Sequence, residues 1–107
     1  MNELYLRKVE HLQARDNYRV ILKSESDETE IGSIGIRHFT STDAAWVWGI
    51  DTVIPMRQHQ TEGRGADRRD CMRLFKAAWE ALAADRSWLL EFMEAKRQSR
   101  RGHFTRE

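Results

Sequence analysis

Cysteine is almost missing from this chain. Cys71 stands alone, so there is no internal disulfide and no Cys-x-x-Cys pair for zinc or redox work. A lone thiol suits a reducing compartment, and a cytoplasmic location is predicted. Proline is equally scarce: Pro55 is the only one, and it follows an apolar run, as where a strand leaves its sheet. Neither sign of charge is in excess, since 18 Lys and Arg face 17 Asp and Glu for a net +1. That balance names no partner, and any nucleic-acid site must come from local separation of charge. No apolar run approaches the ~18 residues of a membrane span. The opening MNELYLRKVEHL carries a charge every two or three residues, unlike a signal peptide. Repeats and low-complexity linkers are missing too.

What remains is a chain of 107 residues, 40% hydrophobic and 33% charged, which reads as one soluble domain with a core of its own. Three segments carry strand alternation. In 18–25, Tyr18, Val20 and Leu22 alternate with Arg19, Ile21 and Lys23. In 30–39, Ile34 and Ile36 share a face, and Gly32 and Gly35 suggest a bulge or close packing. In 45–54, Trp46, Trp48 and Ile50 share a face. Short polar loops join them, which predicts a three-stranded antiparallel meander. The first loop, SESDETE, holds four acids. For residues 1–14 the spacing of Tyr5, Val9 and Leu12 favours a short helix, although Leu4 and Leu6 would share a strand face.

The polar stretch MRQHQTEGRGA then leads to Asp67, a good helix cap, with Asp70 placed for a capping box. Beyond it Cys71, Phe75, Ala78, Leu82 and Leu89 form an apolar stripe at helical spacing, flanked by Met72, Trp79 and Met93. A helical region over 67–98 is predicted, either one helix or two with a break near Asp85. The basic end, 99–107, reads as a frayed tail. The expected fold is therefore α+β, one sheet with helix packed across one face, as a single domain over 1–107.

Two resemblances follow from these motifs. The order helix, three strands, helix, together with GRGADRRDC, resembles the double-stranded-RNA-binding domain. It implies that Gly63 and Gly65 form a turn, Asp67 caps, and Arg68 and Arg69 hold phosphate at a helix start. Met72 stands where that family has a lysine, and the acidic SESDETE stands where its hairpin enters a minor groove. The second resemblance runs from Tyr18 to Leu82. Trp46 and Trp48 on a strand, then Gly63, then Phe75, Ala78 and Trp79 on a helix, resemble a family of small uncharacterised alphaproteobacterial proteins. It implies fold and a bacterial host, and no activity.

Trp46 and Trp48 are either stacking platforms for bases or core residues against Phe75 and Trp79, and large aromatics favour core. Trp88 lies off the stripe and is a candidate for exposed contact. Leu89, Phe92 and Met93 extend the apolar surface beyond the reach of a three-stranded sheet, which predicts a homodimer burying them, with Trp88 near the rim. Arg64, Arg68, Arg69 and Arg73 are a candidate nucleic-acid surface. Asp51, His59 and Glu62 could meet in a folded loop as acid–base groups. No histidine pair has metal-site spacing, and no metal or cofactor is expected. Cys71 is either activated at a helix start or buried and inert. The leading expectation is a non-enzymatic interaction protein that self-associates and binds a protein partner. The alternative is a nucleic-acid-binding module using the arginines, and the third is a small enzyme on the Asp51–His59–Glu62 loop.

Overall fold

The computed structural model describes residues 3–9, 16–25, 27–54 and 60–105, with side chains as far as Ser99. The coarse expectation holds: an antiparallel sheet is packed by C-terminal helices. The sheet has five strands rather than three, in the order β1-β2-β3-β4-β5. They are β1 (Glu3–Lys8), β2 (Asn17–Lys23), β3 (Glu28–His38), β4 (Ala44–Ile50) and β5 (Glu62–Gly65), followed by α1 (Arg68–Ala83) and α2 (Arg86–Thr105).

Over Glu3–Lys8 the expected N-terminal helix gives way to a strand, for a register reason; Leu12 lies outside the described residues. Leu4 lies opposite Leu22 and Leu6 opposite Val20, so two leucines at strand spacing extend the apolar face of β2. Helical spacing of Tyr5 and Val9 offers nothing comparable. β5 replaces part of the expected glycine turn. Gly63 lies opposite Trp48 and Gly65 opposite Trp46, so both glycines face the helix layer and Arg64 faces away. A Cβ at Gly63 would come within 3.0 Å of the Trp48 indole nitrogen, and one at Gly65 within 2.7 Å of the Cys71 sulfur. Those glycines make room for packing. The resulting order of elements also differs from the helix, three strands, helix on which the first resemblance rests.

In β3 the pairing shifts between Val20 and Ile21, leaving Ile31 as the extra residue of a bulge. Ile31 and the neighbouring Gly32 are both buried, and a Cβ at Gly32 would collide with the Phe75 ring and the Gly49 carbonyl. The bulge thus keeps the apolar side of a long strand turned towards α1. The core between sheet and helices contains Val20, Leu22, Ile31, Ile34, Trp48, Ile50, Cys71, Phe75, Trp79, Leu82, Trp88 and Phe92.

Asp67 starts α1, its carboxylate accepting the Asp70 N–H at 2.8 Å. The Asp70 side chain reaches back to the Ala66 N–H at 2.8 Å, one residue earlier than a longer glutamate would. The helical region is two helices. Asp85 caps the second, accepting the Trp88 N–H through Oδ1 at 3.1 Å. The turn swings Trp88 and Phe92 onto Trp79, with ring centroids 5.0 to 5.7 Å apart among the three. The backbone of the expected basic tail is helical as far as Thr105. No described helix is long and apolar enough to cross a membrane.

Candidate binding face

Strand alternation gives the sheet two unlike faces. Helix α1 lies across β3, β4 and β5 on one of them. There Trp48 is buried against Phe75, with centroids 6.2 Å apart, and Trp46 packs beside it, so neither is a platform for an external base. Trp88 and Phe92, expected between subunits, are buried within the single chain at 1% and 0% exposure. Leu89 and Met93 are half-buried against the same core. The expectation rested on a helix continuing past its sheet. The break at Asp85 folds those residues back instead.

The four arginines do not share a surface. Arg68 reaches across α1's start to Tyr18, donating to the phenol oxygen at 2.7 Å with its guanidinium 5.0 Å from the ring centre. Arg73 pairs with Asp70 at 2.7 Å. Arg69 is exposed, with no acidic partner among the described residues. Arg64 sits on the other side of the sheet. Cys71 is fully buried, and its thiol pKa is pushed up by burial first and then by Asp70 and Asp67; a Gly65 hydrogen bond only partly offsets this. It is the inert thiol of the two alternatives.

His59 lies outside the described residues. Asp51 is engaged elsewhere: its Oδ2 accepts from Arg19 at 2.5 Å and from Lys96 of α2 at 2.6 Å. Burial would raise its pKa, but the hydrogen bonds and charges of Arg19 and Lys96 outweigh that and hold it below the usual value. An anion clamped by two cations is a structural tie between sheet and helix and a poor proton acceptor near neutral pH.

The face away from α1 is more informative. Ser33, Val47 and Gly49 form a floor of small residues, set by the register of β3 on β4, while the Asn17 side chain covers Gly35. Arg19 and Asn17 of β2 flank it on one side, Arg64 and Glu62 of β5 on the other, and Arg37 stands at one end. Two shallow hollows, of about 490 and 300 Å³, share Ser33, Arg37 and Val47, so they join into one trough crossing the strands. Phe39, 42% exposed, lines the second hollow and carries the Arg64 guanidinium 4.3 Å from its ring centre. Arg37 and Arg64 have no carboxylate partner among the described residues, whereas Arg7 and Arg19 are paired with Glu28, Glu30 and Asp51.

Of this trough, the sequence reading singled out Arg64 and Glu62 and missed Arg37 and Phe39. The signal was present: once Ile34 and Ile36 share the buried face, Ser33, Gly35 and Arg37 must share the open one. No protein-family model, curated protein or solved structure matches the chain.

Proposed function

We propose that this is a non-enzymatic binding protein, and that its ligand is a single-stranded nucleic acid lying in the trough over β3, β4 and β5. The carrying observation is the pair Arg37 and Arg64, two guanidiniums without carboxylate partners among the described residues, beside an exposed aromatic and a floor of small residues. An extended anionic chain needs cations for its phosphates and flat surfaces for its bases. Arg37 and Arg64 supply the first, and Phe39 with its stacked Arg64 supplies the second. The hollows are too open to enclose a small substrate, and a shallow trough suits a ligand that is itself a strand. A duplex fits less well, because its bases are stacked and paired with one another and cannot reach Phe39.

Fluorescence anisotropy with a labelled 20-nucleotide single strand tests this. Wild-type protein is expected to bind with an affinity that falls as salt rises, and more tightly than to the matching duplex. Changing Arg37 and Arg64 together to alanine is expected to lower the salt slope by about 1.4, the contribution of two phosphate contacts on a single strand. No binding at low salt, or a double variant that binds like the wild type, would remove the trough from consideration.

A further inference from the structure

We infer that the outer edge of β1 is a self-recognition surface, pairing antiparallel with β1 of a second copy around a twofold axis at Tyr5. This uses residues separate from Arg37, Phe39 and Arg64, and stands without the nucleic-acid reading. β1 is the first strand of the sheet order, and no described strand pairs with its outer side. The Val9 N–H donates to the Asn17 carbonyl at 2.9 Å, so the odd-numbered residues of β1 turn their backbone groups towards β2. Leu4, Leu6 and Lys8 therefore turn their N–H and C=O groups outwards. This edge has neither a proline nor a bulge to prevent docking, and its six residues pair with β2 in unbroken register.

The sequence of the strand selects both the partner and the register. Pairing about a twofold axis perpendicular to the sheet places opposite residues on the same face, so the two residue numbers must sum to an even value. With Tyr5 on the axis, Leu4 meets Leu6 of the second copy and Glu3 meets Arg7, each twice. Leucine then lies against leucine on the helix side, and on the open side Glu3 joins the Arg7–Glu28 ion pair of the second copy. Leu4 and Leu6, already half-buried against the core, gain cover across the junction. Shifting the axis to Leu6 instead sets Leu4 against Lys8 and Tyr5 against Arg7, losing both matches. ELYLR is thus complementary to itself read backwards, the property an isologous contact needs. The outward groups of Leu4 and Leu6 become the bonded pairs of the new ladder, and the two sheets join into one of ten strands.

Sedimentation at tens of micromolar is expected to give twice the 12.7 kDa protomer mass. Glu3→Arg alone sets like charges opposite each other at both ends of the contact and is expected to weaken association about tenfold. The triple variant Glu3→Arg, Arg7→Glu, Glu28→Arg restores opposite charges both across the contact and within each copy, and is expected to recover association. Leu6→Pro removes an outward N–H that the β2 ladder does not use, and is expected to leave a folded monomer. Tyr5→Cys in a Cys71→Ala background places two thiols on the axis, where Cα atoms of a non-bonded pair lie about 4.5 Å apart. Rapid disulfide-linked dimers are expected there, and not from Leu6→Cys. A monomeric wild type overturns the inference. So does a dimer indifferent to Glu3→Arg, or a triple variant that stays as weak as Glu3→Arg.

Discussion

Asp51 shows how one side chain ties the layers together. It follows β4, accepts from Arg19 of β2 and from Lys96 of α2, and is only about a quarter exposed. An exposed ion pair contributes about 0–1 kcal/mol, and breaking a fully buried one costs about 3–5 kcal/mol. Asp51→Asn keeps the shape and removes the charge, so a loss of about 1–3 kcal/mol is expected by urea denaturation. The pH dependence has a definite sign. A carboxyl whose folded pKa is depressed stabilises the fold fully above its unfolded value, near 3.9, and the stabilisation fades as pH falls through the folded pKa. The gap between wild type and Asp51→Asn should therefore be constant from pH 5 to 8 and close below about pH 4. A gap that instead widened in acid would mean that Asp51 was protonated in the native state. The sequence reading named Asp51 but assigned it to proton transfer. Its partners, Arg19 and Lys96, lie 32 and 45 residues away, and pairing over such distances depends on the fold.

At the scale of elements, legibility followed local periodicity. β2, β3, β4 and the start of α1 were readable because their alternation, or a cap such as Asp67, lies within a few residues. β1 and β5 were not. β1 is settled by Leu4 and Leu6 meeting Leu22 and Val20, and β5 by two glycines fitting beneath two tryptophans; both are partnerships across strands. The break between α1 and α2 was readable as an option, because Asp85 is a cap-forming residue, but the apolar stripe runs past it. What decides for two helices is the aromatic cluster, which needs Trp88 and Phe92 turned back onto Trp79. The cap is accordingly worth testing by itself. Asp85→Ala leaves the Trp88 N–H without its carboxylate and is expected to cost about 1 kcal/mol. Tryptophan near-ultraviolet dichroism should change with it, since two of the indoles lie at that junction. An unchanged aromatic signal with full stability would mean that packing alone holds the turn.

Across the whole molecule, an evenly charged composition is resolved into regions by strand direction. Because neighbouring strands run antiparallel, Glu28 and Glu30 at the start of β3 fall towards the same end as Asp51 after β4 and Glu62 at the start of β5. Arg37 near the end of β3 and Arg64 near the end of β5 fall towards the other, as does Arg69 at the start of α1. The net +1 thus conceals an uneven pairing: Arg7, Arg19 and Lys96 neutralise acids at the first end, whereas Arg37 and Arg64 at the other have no carboxylate partner among the described residues. Glu62 is the exception at its end, for it lines the same hollow as Arg37 and Arg64 and has no cationic partner among the described residues. A carboxylate there opposes any anion that the arginines hold. Glu62→Gln keeps the size and removes the charge, so binding of the single strand is expected to tighten about two- to threefold at low salt. Glu28→Gln provides the contrast. Glu28 is already paired with Arg7 at 2.8 Å and lies at the acidic end, so its removal should leave affinity within error. Equal effects from the two changes would mean that the ligand responds to net charge and not to the trough. A weakened Glu62→Gln complex would mean that the carboxylate itself accepts a hydrogen bond from the ligand, and the polarity assigned to this face would have to be reversed.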